Sequence, residues 1–126
     1  MSKKRIEKWM PVAREALVEC EIVKDGAFDG MFKDLLTTFG VAIFSGRLRS
    51  AVAFFAARGR SAVDRRKVVS AVYYCISGEK WDAEKVLEYV YENESPELKE
   101  AFIDAIAAIK YALYFFVLEK GEESDE

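Results

Sequence analysis

Apolar residues recur at intervals of three to four along almost the whole chain, which is the spacing of amphipathic α-helices. No stretch alternates apolar and polar residues in the way a half-buried strand does. The pattern therefore predicts an all-α fold, a compact bundle of about five to six helices with no sheet, in a single domain over residues 1–121. The helices are expected at about residues 2–22, 28–44, 47–57, 61–77, 82–91 and 96–120, and the fourth of them begins near either Ser61 or Asp64.

Polar caps and glycines mark where these helices begin and end. Asp82 and Ser95, the second of which precedes a proline, are typical helix starts and are expected to cap the fifth and sixth helices. Ser45 is expected to cap the third helix. Gly59 and Gly121 are expected to close the third and the last helix, because glycine readily adopts the conformation that ends a helix.

Four further positions interrupt the helical pattern. Pro11 predicts a kink or a later start in the first helix. The run at positions 24–26, Lys-Asp-Gly, predicts a turn. Gly40 lies beside the apolar face of the second helix and indicates a close backbone approach by a neighbour. Gly46 follows Ser45, and we expect it to have a positive φ or to allow tight helix packing.

The last helix carries only two charges between positions 101 and 118, Asp104 and Lys110. Its length would allow a membrane span, but the charge near its middle and the strong capping argue against one, so no membrane association is expected. Two roles stay open, the central core element or a protein interface, and both can hold. Lys110 either extends its ammonium to solvent or aims it at a phosphate or a partner's carboxylate.

Composition makes catalysis unexpected. The chain of 126 residues contains no histidine, which removes the usual general base and the commonest metal ligand. No cluster with metal-ligand spacing and no phosphate-cradling loop occurs. We therefore predict a protein that is not an enzyme, without cofactor, metal or catalytic residues. Cys20 and Cys75 sit alone in apolar helical patterns and are expected to be buried free thiols. That and the absence of a secretory leader predict a cytoplasmic protein.

Charge is distributed unevenly around a net value of −3. Positions 47–67 carry seven basic residues against one acid, whereas positions 79–104 carry nine acids against three lysines. Residues 122–126 form an acidic tail that we expect to be disordered. The candidate nucleic-acid-binding residues are Arg47, Arg49, Arg58, Arg60, Arg65, Arg66, Lys67 and Lys110.

Helical spacing relates these basic residues to one another. Arg47 and Arg58 are eleven residues apart, three helical turns, and should line one face. We expect them to share a continuous surface with Arg65 and Arg66, with Lys110 at its edge. Basic residues in the first turn of a helix oppose the macrodipole, so their presence in the fourth helix suggests another demand such as phosphate neutralisation. The alternative is a solvated arginine face that pairs with nearby acids.

The segment from position 39 to 54 resembles the central motif of the small helical subunit of the type III-B CRISPR RNA-targeting effector, the Cmr complex. That family often shows Ser-Phe-Gly-x-x-Ile, then Ser-Gly-Leu-Leu, then Ala-x-Ala-Phe at this spacing. Its Ala-x-Lys-x-Ala-Leu element resembles positions 108–113, and the resemblance covers most of the chain. The chain departs from the pattern at Arg47, where leucine is usual, and at Tyr114, where a basic residue is common. The matching residues are Phe39, Gly40, Ala42, Ile43, Ser45, Gly46, Leu48, Ala51, Ala53 and Phe54.

The resemblance implies a non-catalytic protein of antiviral defence. Such a subunit lies beside its own copies and a repeated backbone subunit, along the groove that holds guide RNA and target RNA, and supports the RNA backbone without reading sequence. The sister subunit of the type III-A effector is a neighbouring possibility. Two other classes stay open: a stand-alone helical protein that self-associates or binds partners through the last helix, and a small enzyme whose site the sequence does not reveal.

Overall fold

Six α-helices account for most of residues 2–59 and 62–120, the parts of the chain that this computed structural model describes. The prediction of a helical bundle is therefore confirmed. The helices are α1 (Lys3–Glu19), α2 (Met31–Ser45), α3 (Leu48–Ala56), α4 (Arg66–Ser77), α5 (Ala83–Asn93) and α6 (Pro96–Ala112), followed by a short 3₁₀ turn, Leu113–Phe115. Three short strands are β1 (Val23–Lys24), β2 (Ala27–Asp29) and β3 (Val117–Lys120).

Side-chain caps set several helix starts where the sequence places them. The Asp82 carboxylate accepts a hydrogen bond from the Lys85 N–H at 2.8 Å, and the Ser95 hydroxyl accepts one from the Leu98 N–H at 3.0 Å. Both predicted caps are confirmed. Of the two alternatives at Pro11, a kink or a later helix start, the later start is wrong, because Ser2 caps α1 and Pro11 lies inside it.

The core is built around α6, which packs against α1, α2 and α4. Phe39 on α2 has its ring 4.6 Å from that of Phe55 on α3 and meets Phe102 on α6 edge-on at 6.5 Å. All three phenylalanines are almost fully buried. Of the two roles left open for the last helix, that of a central core element is confirmed, since eight of its residues are buried.

One carboxylate lies inside this apolar core. Asp104 on α6 has no solvent exposure, and its oxygens accept hydrogen bonds from Arg5 Nε at 2.8 Å and from the Ser2 N–H at 3.2 Å. Arg5 Nη2 lies 2.7 Å from Asp104 Oδ2. This buried ion pair fixes the start of α1 against α6, since a buried charge needs a partner of opposite sign.

The expectation of no strand is wrong for a small part of the chain. The predicted turn at positions 24–26 is a tight hairpin, with positive φ at Asp25 and Gly26, and it joins β1 to β2 in antiparallel pairing. β3 then pairs with β2 in parallel. α6 therefore ends at Ala112 and not near position 120, because the chain beyond it forms backbone hydrogen bonds with β2. Gly121 and the acidic tail at 122–126 lie outside the described residues.

The glycines at the α2–α3 region act differently from the prediction. Gly46 has a negative φ of −139°, so it needs no left-handed conformation, but a Cβ there would lie 3.0 Å from the Ala42 carbonyl oxygen. A Cβ on Gly40 would meet Ile106 at 3.6 Å, an ordinary contact, so no close backbone approach requires that glycine. Ser45 donates its hydroxyl to the Val41 carbonyl oxygen at 2.7 Å and does not cap α3.

Candidate nucleic-acid interface

The end of α3 and the start of α4 bring together three of the predicted arginines, Arg58, Arg65 and Arg66. We call these three residues the basic turn. Arg58 is the second residue after α3, Arg65 precedes α4, and Arg66 opens α4. Arg58 and Arg66 line the same small hollow, about 240 Å³ in volume. Arg60, which also belongs to this connection, lies outside the described residues.

Arg65 is held against the end of α3. Its Nε atom donates to the Ala57 carbonyl oxygen at 3.1 Å, and its guanidinium lies 4.2 Å from the centre of the Phe54 ring. It also lies so close to Gly59 that a Cβ there would come within 2.7 Å of the guanidinium carbon. A cation at a helix C-terminus is favourable, which gives Arg65 a structural reason to occupy this position.

Arg66 forms a two-point ion pair with Asp64. Its Nε lies 2.9 Å from Oδ1 and its Nη2 lies 2.8 Å from Oδ2 of that carboxylate. The Arg66 backbone N–H donates to the same carboxylate at 3.0 Å. These hydrogen bonds, above all those of the guanidinium, hold the pKa of the Asp64 carboxyl below its usual value. Both side chains remain 38% exposed, so a phosphate can approach them.

Lys67 contacts the end of α1. Its ammonium donates to the backbone carbonyl oxygen of Glu21, just after α1, at 3.2 Å. Lys67 and Arg65 therefore each donate a hydrogen bond to a backbone carbonyl just after a helix, α1 and α3 respectively, and both of these helix ends meet the start of α4. These contacts explain why basic residues occupy the first turn of α4 despite its macrodipole, without reference to phosphate.

Arg58 is the member of the basic turn whose charge is most available. Its side chain is exposed and makes no hydrogen bond or ion pair within residues 2–59 and 62–120. Phe54, near the end of α3 and in contact with Arg65, is 61% exposed. An exposed aromatic ring beside arginines is a feature of surfaces that bind single-stranded nucleic acids, where bases stack on rings and cations contact phosphates. Sequence reasoning treated Phe54 as part of a motif and missed this exposure.

The other arginines of the predicted surface lie at the opposite end of α3. Arg47 is its exposed N-cap residue, about 13 Å along the helix axis from the basic turn. Arg49 links α3 to α5, because its Nε lies 3.2 Å from Glu94 Oε1 and its Nη2 donates to the Tyr91 carbonyl oxygen at 2.5 Å. The structure therefore separates the basic residues into two groups at the ends of α3.

Lys110 belongs to neither group. It lines a groove between α2 and α6 that shares no lining residue with the hollow at the basic turn. The expectation that Lys110 borders the arginine surface is therefore not met by this geometry. The groove itself was not specified by sequence reasoning, although the apolar run of the last helix indicated an interface.

A concavity of about 730 Å³ lies beside the basic turn and has a mixed lining. Three basic side chains, among them Arg66 and Lys67, face it together with four acidic ones. Its balanced charge gives no preference for an anion. Cys20 lines it, and burial raises the pKa of that thiol to about 11.

The remaining predicted features concern metals, thiols and membranes. Among the described residues no group of three or more histidine, cysteine or acidic side chains is placed to hold a metal ion. Cys20 and Cys75 are buried free thiols, as predicted, and burial raises the pKa of Cys75 to about 12. No helix in the described part of the chain combines the length and apolar character needed to cross a membrane.

Comparisons with known proteins identify no similar protein. The chain matches no protein-family model, and no curated protein and no solved structure matches it significantly.

Proposed function

We propose that this chain is a non-catalytic small subunit of a CRISPR RNA-targeting ribonucleoprotein of the Cmr type and that its basic turn contacts the RNA backbone. The observation that carries the RNA contact is the placement of Arg58 and Arg66 on one hollow and of Arg65 over the exposed Phe54 ring. The proposed effector complex rests on the motif resemblance at positions 39–54 and 108–113. Guide RNA, target RNA, other subunits and further copies of the chain are its proposed partners.

The chemistry of the basic turn favours backbone contact over base reading. Guanidinium groups contact phosphate oxygens through charge-assisted hydrogen bonds, and such contacts carry no sequence information. Each phosphate that is neutralised releases counterions, so binding should weaken as salt increases. A single copy offers only a small patch, and avidity within an assembly would supply much of the affinity.

A charge-reversal experiment tests the RNA contact. Arg58, Arg65 and Arg66 are replaced together by glutamate, and binding to two single-stranded RNAs of unrelated sequence is measured over a range of salt concentrations. We expect lower affinity for both RNAs and a log–log salt slope that is flatter by about 0.7 for each lost phosphate contact. Because Arg65 and Arg66 also have structural contacts, Arg58→Glu alone provides a variant with no described partner to lose.

The matched control carries the same change of charge elsewhere. Lys3, Lys4 and Lys8 are exposed on α1, and their joint replacement by glutamate changes the net charge equally. If both triple variants lower affinity to the same extent, only net charge matters, and the basic turn is not the RNA contact. Circular dichroism of each variant shows whether the helices remain folded.

Membership of the effector is tested separately. A tagged copy is purified from its own cells, and the RNA bound to it is sequenced. We expect enrichment of RNAs transcribed from CRISPR repeats. Bound RNA that mirrors the total cellular RNA would contradict the effector assignment while leaving a general RNA-binding role in place.

The alternative is a stand-alone interaction protein that uses the last helix. One observation favours it, the exposed apolar side chains of Tyr111 and Tyr114 at the end of α6 beside Phe44 on α2. If this alternative is correct, replacing the arginines of the basic turn should leave the protein's interactions with its partners unchanged.

A further inference from the structure

The groove between α2 and α6 has a mainly apolar lining and a volume of about 550 Å³. Four large side chains that line it are more than half exposed: Val41 at 61%, Phe44 at 76%, Tyr111 at 54% and Tyr114 at 74%. Exposed apolar side chains are common singly, but several around one groove mark an interaction site. We call this surface the α2–α6 groove.

The lining follows helical spacing on both sides. On α2 the residues are Leu36, Thr37, Gly40, Val41 and Phe44. On α6 and just after it they are Ile103, Ile106, Ala107, Lys110, Tyr111 and Tyr114. Each set recurs at intervals of three or four, so each forms one stripe along its helix. The longer stripe covers twelve residues, about three helical turns or 16 Å.

A single lining residue of the groove is charged. The Lys110 ammonium makes no hydrogen bond or ion pair with any residue that the structure describes, and the side chain is half-buried. No acidic side chain lines the groove. A cation that an occupant covers loses its water and needs a counter-charge. The occupant must therefore bring one negative group to an otherwise apolar surface.

A comparison of Lys110 with Asp104 supports the need for a negative group in the occupant. Asp104 lies six residues earlier on the same helix, and it receives hydrogen bonds from Arg5 and from the Ser2 N–H. Of the two charges in the apolar part of α6 after position 100, the fold thus provides a partner for Asp104 and leaves Lys110 beside an uncovered apolar surface.

We propose that the α2–α6 groove binds a helix of another protein whose apolar face carries one aspartate or glutamate that pairs with Lys110. A stripe about three turns long between two helices matches the helix-in-groove mode of recognition, in which anchors at i, i+3 or i+4, and i+7 fill the groove. The pairing with Lys110 would set the register of the bound helix, as charge complementarity does at other interfaces.

A second copy of this chain fits the groove poorly. A symmetric dimer through this face would bring two identical grooves together, each with an uncompensated ammonium and neither with an acid. Burying two like charges without a counter-charge is unfavourable. RNA fits poorly as well, because one lysine among apolar side chains offers a single phosphate contact. The proposal shares no residue with the basic turn and does not depend on the proposed RNA function.

The test uses a display library of helical peptides randomised on one face. The library is selected on the full chain, and each selected peptide is measured by fluorescence anisotropy against the wild type, Val41→Arg and Val18→Arg. Val18 is an exposed valine on α1 that does not line the groove, so it provides the matched control. We expect selected peptides to carry an acidic residue within an apolar stripe and to lose binding only to Val41→Arg.

The role of Lys110 is tested with the same peptides. Lys110→Met should weaken binding by about tenfold or more, since one charge of a covered pair is then left alone. Lys110→Glu should bind a peptide whose acidic residue is exchanged for lysine, and this charge exchange should recover most of the lost affinity.

Several outcomes would overturn the proposal. Selected peptides without an acidic residue, or peptides indifferent to Val41→Arg, would show that the groove does not select a carboxylate-bearing helix. Tight binding of dodecanoate that depends on Lys110, with no groove-dependent peptide, would assign the site to a fatty acid. A concentration-dependent dimer in sedimentation that Val41→Arg abolishes would assign it to a second copy.

Discussion

Positive charge is arranged in opposite ways at the basic turn and in the α2–α6 groove. At the turn two of the three guanidiniums already have partners, since Arg65 contacts the Ala57 carbonyl oxygen and Arg66 pairs with Asp64. In the groove one ammonium, that of Lys110, has apolar neighbours and no described partner. A count of basic residues would rank the turn far above the groove. The contacts show that the available charge differs much less between them.

This difference shows that a basic residue near a helix N-terminus does not by itself indicate that an external anion binds there. Arg65 and Lys67 contact backbone carbonyls at the carboxyl ends of α3 and α1. Their charges stabilise the meeting of three helix ends. The case for RNA at the turn therefore depends on Arg58 and on the remaining donors of Arg65 and Arg66.

The largest effect is predicted for the ion pair of Arg5 with Asp104, whose carboxylate is fully buried although the Arg5 side chain is 35% exposed. Arg5→Ala leaves the Asp104 carboxylate buried without its cation, and we expect a loss of about 3–5 kcal/mol in the free energy of unfolding. Urea denaturation followed by circular dichroism measures it. Lys8→Ala, at an exposed position of the same helix, should change stability by less than about 0.5 kcal/mol. A loss below about 1 kcal/mol for Arg5→Ala would contradict the view that α6 needs this partner.

Sequence reasoning identified most of the fold because its signals are local. Asp82 and Ser95 cap helices where their spacing to the apolar stripes requires it. The hairpin was missed although Asp25-Gly26 between short apolar runs is a strong local signal for one. β3 is different, since its pairing with β2 joins residues about ninety positions apart, and no local pattern of Val117 specifies that partner. Tertiary pairing overrides the helical spacing there.

The candidate site was less predictable, because it depends on which charged side chains already have partners within the folded chain. The sequence places Arg49 and Arg58 in one basic block, but only the packing of α3 on α5 directs Arg49 to Glu94. Lys110 was assigned to the arginine surface because the route of α6 past α2 is not visible in a linear pattern. The exposure of Phe54 also depends on how α3 lies in the bundle.

A smaller effect should show whether the pairing at the turn masks charge. Asp64→Asn removes the carboxylate that neutralises Arg66, while the amide oxygen can still accept from the Arg66 N–H. We expect RNA to bind a few-fold more tightly and the salt slope to steepen by about 0.7, as for one added phosphate contact. Asp34→Asn, at an exposed position of α2, makes the same change in net charge away from the turn. Equal effects of both substitutions would mean that Arg66 was never masked.

The same pair predicts a modest dependence of stability on pH. The pKa of Asp64 is lowered in the folded state, so its ion pair contributes full stability above the unfolded pKa of about 3.9. That contribution is lost as the pH falls through the lower, folded pKa. The stability difference between wild type and Asp64→Asn should therefore be constant from pH 7 to about 5 and shrink in more acidic solution. Because the pair is exposed, we expect less than about 1 kcal/mol, and a difference that persists undiminished at pH 2 would contradict it.

The smallest predicted effect concerns the floor of the α2–α6 groove. Gly40 lies inside α2 with room for a methyl group, since a Cβ there would meet Ile106 at 3.6 Å. Gly40→Ala should therefore raise the free energy of unfolding by about 0.5 kcal/mol, because alanine restricts the unfolded chain and favours helix. Gly78→Ala is the matched control, and it should destabilise the protein, because φ is +81° at that helix end. Urea denaturation of both variants measures these changes in the free energy of unfolding. If Gly40→Ala destabilises the protein as Gly78→Ala does, α2 and α6 approach more closely than this geometry gives, and the groove is too shallow at its centre to seat a helix.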